Sequence, residues 1–243
     1  MIQTEGIFSG GSDIAVPIIG KDFNWTGGDG TYQVLDDGGE NWRIKFLSSG
    51  TFTPLRNMVI DAFLVGAGGC KGCTHCGAGG SGYTTTVRSI VLAANTAYQI
   101  TIGAAGINPT KAGTDGVDGG TTSAFAASAL GGKGSLAGSS SARKPGADGG
   151  SGGGGVNISG VHVNSSTAAG GTDGEDGATA TTAGGTGQGT TTREFGETDG
   201  DLYASGGGDN LTATVPNSGN GGAYNVEPAD GIVVIRQHKE VAA

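Results

Sequence analysis

The sequence has few prolines, few charges and no long apolar run, and each shortage excludes a class of protein. Only 6 of its 243 residues are proline, too few to fill the Gly-X-Y lattice of collagen. Charged residues make up 14% of the chain and hydrophobic residues 35%, whereas disordered chains are rich in charge and poor in apolar groups. No stretch approaches the roughly 18 apolar residues that a membrane-spanning helix needs. We therefore expect a folded chain with no membrane insertion.

Basic residues and cysteines are also scarce. The 13 Lys and Arg face 22 Asp and Glu, a formal net charge of -9, and this field repels phosphate and argues against nucleic acid as a partner. Residues 1–11 lack the basic and apolar parts of a secretory signal, so we expect synthesis in a reducing cytoplasm. Three cysteines cannot all pair within one chain, and no disulfide framework is predicted.

Glycine, in contrast, fills 53 of the 243 positions. Each interior Gly costs an α-helix up to about 1 kcal/mol relative to Ala, so we expect almost no α-helix. Many glycines recur three residues apart, most clearly in residues 66–72, 113–119, 146–155 and 171–177. Three residues per turn is the period of the polyproline II helix, whose backbone groups must bond to neighbouring chains. The pattern predicts a lattice of short polyglycine II helices packed side by side.

Alternating or continuous apolar residues predict β-strands outside this lattice. The predicted strands lie near residues 42–47, 59–65, 83–87, 98–102 and 232–235. We expect the last of them to close a sheet that begins near residue 42. The predicted fold class is therefore all-β with irregular structure: a jelly-roll-like β-sandwich joined to the polyglycine II lattice. Residues 1–40 are interpreted as an attachment or lead-in segment, and residues 41–243 as the glycine-rich domain.

Two glycine motifs match enzyme signatures in spacing alone. Residues 77–82 have the GxGxxG spacing of a dinucleotide site, but a predicted strand follows them where that site needs a helix. Residues 149–153 have the GxSxG spacing of hydrolases without the strand and helix that flank such a serine. The sequence thus predicts no catalytic residue and no cofactor.

The three cysteines and a neighbouring histidine are weak candidates for a metal site, because CxxC is a common half-site for zinc. These residues are Cys70, Cys73, Cys76 and His75. On a helix with a period of three, the thiols would line one edge about 9 Å apart and could not converge on one ion. The interpretation that we favour is structural or exposed thiols and no metal.

Acidic residues cluster beside glycines, as in residues 114–119 and 172–177, but match no complete calcium motif. We expect solvated turns there. Around Phe195, the neighbouring Arg193, Glu194 and Glu197 are expected to form an ion pair, and the pattern is compatible with a buried pair or a surface pair.

Connectors between the glycine runs contain most of the remaining variety in the sequence, and loops on rigid scaffolds are where binding residues collect. A plain solvated turn is the alternative for each connector. The candidate binding residues are Asn108, Pro109, Asn157, His162, Asn164, Leu211 and Tyr224.

Five pieces of the chain, taken in order, carry a family resemblance. They are residues 63–69 (FLVGAGG), 80–87 (GSGYTTTV), 98–103 (YQITIG), 190–197 (TTTREFGE) and 231–236 (GIVVIR). In this order they are similar to the glycine-rich domains of bacteriophage and prophage structural proteins from Gram-positive hosts. The likeness covers roughly residues 42–236, and residues 70–76 depart from it because such domains usually run through glycine there. In architecture the chain also resembles the polyglycine II long-tail-fibre adhesins of T-even-like phages.

The resemblance implies a virion protein with a structural or receptor-binding role, not an enzyme. The leading expectation is a tail or fibre-tip adhesin whose loops recognise a protein or glycan receptor on a bacterial surface. Residues 1–40 would bind other virion proteins, and the assembly would be a homotrimer or a cap on a trimeric fibre.

Three alternatives differ from this expectation. The first is a non-catalytic structural virion component, such as a head fibre, decoration or connector protein. A flat-surface binder such as an ice-binding protein lacks support because no Thr rail repeats. An enzyme that degrades surface polysaccharide would need paired carboxylates in a cleft, and the acids here lie in predicted glycine turns.

Overall fold

The computed structural model of the chain describes residues 16–38, 41–158, 161–163, 192–208, 214–224 and 226–238. Regular structure in these ranges is β-strand, apart from one 3-10 turn at Glu194–Gly196. The described strands are β1 (Phe23–Trp25), β2 (Tyr32–Gly38), β3 (Asn41–Phe46), β4 (Gly50–Pro54), β5 (Met58–Val65), β6 (Thr84–Leu92), β7 (Tyr98–Thr101), β8 (Thr122–Ala124), β9 (Ala127–Ala129), β10 (Val156–Ile158), β11 (Val161–Val163) and β12 (Ile232–Gln237). The all-β prediction is confirmed. No helix in the described ranges is long and apolar enough to cross a membrane.

Ten of these strands form two antiparallel sheets of five strands each. One sheet has the order β1-β4-β7-β8-β9 and the other β2-β3-β12-β5-β6, while β10 and β11 form a separate hairpin. The alternation predicted for β3 places Trp42, Ile44 and Phe46 in the main core. The Phe46 ring lies 5.5 Å from that of Phe52 in the other sheet, so the two sheets share one apolar layer. A β-sandwich buries the apolar side of both sheets in this way.

The last strand lies in the middle of its sheet. β12 pairs with β3 on one side and with β5 on the other, so that Val234 lies opposite Lys45 and Phe63. Strands β3, β5, β6, β7 and β12 correspond to the five predicted ones. The other strands were not predicted, because most have only three residues and β4 combines Gly, Thr and Pro. Two of them, β1 and β2, come from residues 16–38 and contribute one strand to each sheet.

Beyond the sandwich, extended glycine-rich segments bond to one another at every third residue. One antiparallel pair is joined by hydrogen bonds from the backbone N–H groups of Ala67, Cys70 and Cys73 to the carbonyls of Gly120, Val117 and Thr114. One parallel pair is joined by bonds from Lys144, Ala147 and Gly150 to His75, Ala78 and Ser81. A period of three is that of the predicted polyglycine II lattice. The predicted run at residues 171–177 lies outside the described residues.

Glycine is required in this lattice because the backbones touch. A Cβ atom on Gly79 would overlap the carbonyl oxygen of Gly69 in the neighbouring segment, and one on Gly69 would overlap that of Lys133. These positions therefore specify how closely the segments pack.

The hydrogen-bond register gives the lattice two ends. Gly66 and Tyr83 lie at the sandwich, directly after β5 and before β6, and the N–H of Gly66 donates to the carbonyl of Tyr83 at 2.9 Å. At the other end the chain reverses through Thr74 and His75, which have φ angles of 71° and 48°. Turns in residues 107–115 and 136–144 bond to this reversal, and a further turn lies beside Lys71. We call these four turns the distal end; they comprise residues 70–76, 107–115 and 136–144, and residues 223, 224, 226 and 227.

Candidate functional site

Two of the predicted binding residues meet at the distal end, on either side of Lys71. The backbone N–H of Lys71 donates to Oδ1 of Asn108 at 3.2 Å. The ammonium of Lys71 lies 5.8 Å from the centre of the Tyr224 ring, within the range of a cation–π contact. Asn108 and Tyr224 lie far apart in sequence, and the lattice brings them to one surface.

The exposed side chains at this surface are attached to a fixed backbone. Tyr224 is 75% exposed and Ile107 is 77% exposed. The carbonyl of Ile107 accepts a hydrogen bond from the Cys70 thiol at 3.0 Å, so its backbone is held while its side chain faces solvent. Pro109, also predicted as a binding residue, lies two residues further on and is half-buried. An exposed Tyr ring is a common feature of recognition surfaces.

The other predicted binding residues are not shown to contact the surface around Lys71. Asn157 and His162 lie opposite each other in the β10–β11 hairpin. This hairpin follows Gly154, whose carbonyl accepts a hydrogen bond from Ala78, so the chain leaves the lattice there toward the distal end. Asn164 and Leu211 lie outside the described residues.

The cysteines do not line one edge, and that part of the sequence interpretation is wrong. The reversal at Thr74 and His75 places Cys76 on a return segment, antiparallel to the one that contains Cys70. Cys70 and Cys76 are buried, whereas Cys73 is half-buried. A period of three in the sequence could not show this turn, because two non-glycine residues adopt left-handed φ angles there.

Each buried thiol forms a hydrogen bond with a nearby backbone group. The sulfur of Cys70 accepts a hydrogen bond from the N–H of Val117 at 2.9 Å, and the thiol of Cys76 donates to the carbonyl of Gly72 at 2.8 Å. Burial raises the pKa of the Cys70 thiol. Among the described residues, no group of three or more His, Cys, Asp or Glu side chains could hold a metal ion.

A second polar cluster covers the outer face of the sheet that contains β3. Glu194 is 1% exposed and binds Arg43 at 2.7 Å and Lys45 at 3.2 Å. The hydroxyl of Tyr203 also donates to Glu194, and burial raises the pKa of Tyr203 to about 12. The ion pair expected among Arg193, Glu194 and Glu197 is therefore wrong in its cation, because Glu194 is buried and pairs with Arg43 and Lys45 of β3. Arg193 instead donates to the carbonyl of Gly200 at 3.0 Å.

A cleft of about 260 Å³ lies beside this cluster, between the ends of β3 and β12 and the segment around the 3-10 turn. Its charged lining is mostly paired within the protein: Arg236 binds Glu197 at 2.6 Å, and Arg43 binds Asp37 at 2.8 Å. The pair of Arg236 with Glu197 holds the covering segment against the sheet, and together these pairs leave few charges for a ligand.

A third cluster has the residue types of a catalytic triad. Asp61 Oδ1 lies 2.6 Å from Nδ1 of His238, and Nε2 of His238 lies 3.0 Å from Oγ of Ser89. The same Oγ lies only 3.5 Å from Nδ1, so it sits beside the imidazole and not beyond Nε2, where a serine that transfers its proton must lie. The three side chains are thus not aligned for proton transfer.

Asp61 instead acts as the centre of an ion-pair network. It is fully buried and binds Arg88 at 3.2 Å and Arg236 at 3.3 Å. Burial alone would raise the pKa of Asp61, but hydrogen bonds from His238 and the N–H of Ser89 hold the pKa below its usual value of 3.8. A carboxylate with these partners contributes to stability as a charged group.

The distal end and most of the sandwich lie within a recognised family match. A family model described as a glycine-rich domain matches residues 47–236. A comparison with curated proteins found no match.

Proposed function

Because the chain belongs to the glycine-rich domain family and gathers its turns at one end of a hydrogen-bonded lattice, we propose that it is a receptor-binding protein of a bacteriophage tail or fibre. In this proposal the distal end contacts the bacterial surface, and the sandwich lies on the side of the virion. The phage assignment follows from the order of the five sequence pieces that resemble phage and prophage domains.

The observation that supports this role most directly is the surface around Lys71. Tyr224 and Ile107 are both at least three-quarters exposed, yet they belong to turns that are fixed by hydrogen bonds within the lattice. A preformed surface loses little conformational entropy when a ligand binds, so a few contacts can give useful affinity. Lattices of this kind therefore suit the display of recognition residues.

The test is attachment to intact cells. We expect the purified protein, labelled with a fluorophore, to bind saturably to one or more strains in a panel of Gram-positive bacteria. The Tyr224→Ala variant should lose at least tenfold in affinity, because an exposed ring at the centre of a recognition surface contributes strongly. Leu130→Ala is the matched control, since Leu130 is 60% exposed but lies at the sandwich end of the lattice.

A structural virion component is the second candidate, and exposed apolar residues on the side of the lattice favour it. Leu130 and Val117 are each more than half exposed on two adjacent segments, where another virion protein could pack. If the intact protein binds no strain but assembles with purified virion proteins, the receptor-binding proposal is refuted and this one replaces it. If the Tyr224→Ala variant binds cells as tightly as the wild type, the proposal that the distal end is the receptor-binding site is refuted.

A further inference from the structure

Outside the distal end, the basic side chains of the described residues are largely neutralised by carboxylates. Six cations form ion pairs with Asp or Glu at 4.0 Å or less, and most of these pairs are on the sandwich. They are Arg43, Lys45, Arg56, Arg88, Lys133 and Arg236. The chain as a whole has a net charge of -9. Because the cations outside the distal end are mostly paired, the surface outside the distal end is acidic.

The distal end has the opposite balance. Its four turns contain more cations than carboxylates, and within the described ranges none of these cations pairs with a carboxylate. The cations are Lys71, Lys111, Arg143 and Lys144, and the carboxylates are Asp115 and Glu227. Oδ1 of Asp115 accepts a hydrogen bond from the backbone N–H of Ala137 at 2.7 Å, so it serves the lattice.

The lattice register brings the basic residues together around the 70–76 turn. Lys144 forms a β-bridge with Cys76, and the ammonium of Lys71 lies 3.5 Å from the sulfur of Cys76. The carbonyl of Lys111 accepts a hydrogen bond from Thr114, whose own carbonyl accepts one from Cys73. Three different turns thus place a cation beside the same reversal of the chain.

One of these cations also has an unused donor. Nε of Arg143 is shielded from solvent and has no hydrogen-bond partner among the described residues. A buried donor without a partner costs about 1–3 kcal/mol, but an atom shielded from solvent is not itself a contact for a ligand at the surface.

We propose that the distal end binds an anionic polysaccharide, a chain that carries repeated phosphate, sulfate or carboxylate groups. This inference rests on the proposed function and names the class of receptor. The basic residues would pair with the anionic groups, and the ring of Tyr224 would pack against a sugar face. The acidic remainder of the protein is screened beyond about 10 Å at 0.1 M salt, so it does not cancel attraction at this end.

The probe for this proposal is dextran sulfate, with uncharged dextran as the reference polymer. We expect wild-type protein immobilised on a biosensor to bind dextran sulfate and not dextran, with affinity that falls as NaCl rises from 50 to 300 mM. The variant Lys111→Glu/Lys144→Glu should lose at least tenfold in affinity, and the neutral variant Lys111→Ala/Lys144→Ala should lose less. Lys21→Glu is the control, because Lys21 is exposed, forms no ion pair among the described residues and lies before β1.

Three results would overturn the proposal. They are equal binding of dextran and dextran sulfate, equal losses in the distal and Lys21 variants, and binding of duplex DNA as tight as that of dextran sulfate. Melting temperatures of all variants should match the wild type; if the Glu variant unfolds, the Ala variant decides. Cell attachment separates the two proposals. If the Lys111/Lys144 variants attach to cells as fully as the wild type, only the proposal of an anionic receptor is overturned. If the wild type does not attach to cells, the receptor-binding role itself is refuted.

Discussion

Replacement of Gly79 by Ala tests whether backbone contact between glycine segments holds the lattice together. The N–H of Gly79 donates to the carbonyl of Gly222 at 2.8 Å, and its carbonyl accepts from Gly207 at 2.9 Å. The new Cβ would overlap the carbonyl oxygen of Gly69 and would lie 2.6 Å from its carbonyl carbon and 2.9 Å from that of Cys70. All three atoms are backbone, so no side-chain rotation can relieve the overlap.

The cost can be estimated from these contacts. To restore ordinary contact of 3.4 Å or more, the segments of Gly69 and Gly79 must separate by about an ångström. This breaks the 2.9 Å bond from the N–H of Gly69 to the carbonyl of Gly80 and displaces Gly79 from its partners at 2.8–2.9 Å. Loss of two buried hydrogen bonds at about 1 kcal/mol each and overpacking of about 1–3 kcal/mol give a loss of about 4 kcal/mol. Reduced entropy of the unfolded chain returns about 0.4–1 kcal/mol. The expected net loss is about 3 kcal/mol, or roughly 6–12 °C in melting temperature.

Thermal and urea denaturation followed by circular dichroism would measure this loss. Gly113→Ala is the matched control: Gly113 has φ of 76° and no atom within 4 Å of a Cβ, so only backbone strain of about 1–2 kcal/mol applies. A melting temperature of the Gly79 variant equal to that of the wild type would refute the close-contact reasoning. So would a loss no greater than that of the Gly113 variant.

Two further predictions concern the buried polar clusters. Asp61→Asn should lower the free energy of unfolding, measured by urea denaturation, by about 3–5 kcal/mol, because Arg236 would lose a buried charged partner. Asp118→Asn is the control: its ion pair with Lys133 is more than half exposed, so the free energy of unfolding should change little. Because the pKa of Asp61 is lowered in the folded protein, its contribution to the free energy of unfolding is present above about pH 4 and is lost as pH falls further. If the stability of the Asp61→Asn variant falls with acid as steeply as that of the wild type, this role of Asp61 is contradicted. The raised pKa of Tyr203, about 12, means that stability should fall as pH rises above 10. In the Tyr203→Phe variant, the melting temperature should fall less between pH 9 and pH 11 than it does in the wild type. An equal fall in both proteins would assign the alkaline loss of stability to other groups.

The sequence alone determined the class of fold, because that information is local. Alternation in β3 predicts one buried face, and the period of three predicts segments that must bond to neighbours every third residue. Both hold in the structure. Short strands such as β1 and β8 escaped prediction because three residues are too few to establish a period, and their pairing depends on partners distant in sequence.

The distal surface was predictable only in part. Asn108, Pro109 and Tyr224 were identified as connector residues, but nothing in the sequence placed Lys71 between Asn108 and Tyr224. A regular run of cysteines three apart suggested one continuous edge, whereas the chain reverses at Thr74 and His75. Left-handed φ at two non-glycine residues is imposed by the lattice around them and leaves no local signal.

The ion pairs show the same division. Charged residues near Phe195 predicted a pair around Glu194, yet its cations are Arg43 and Lys45 on β3, and the fully buried Asp61 was not singled out at all. Composition and period determine what each segment can form by itself. Which side chains meet, and which turns share an end, is decided by the register between segments far apart in the chain, because those contacts exist only once the backbones have packed.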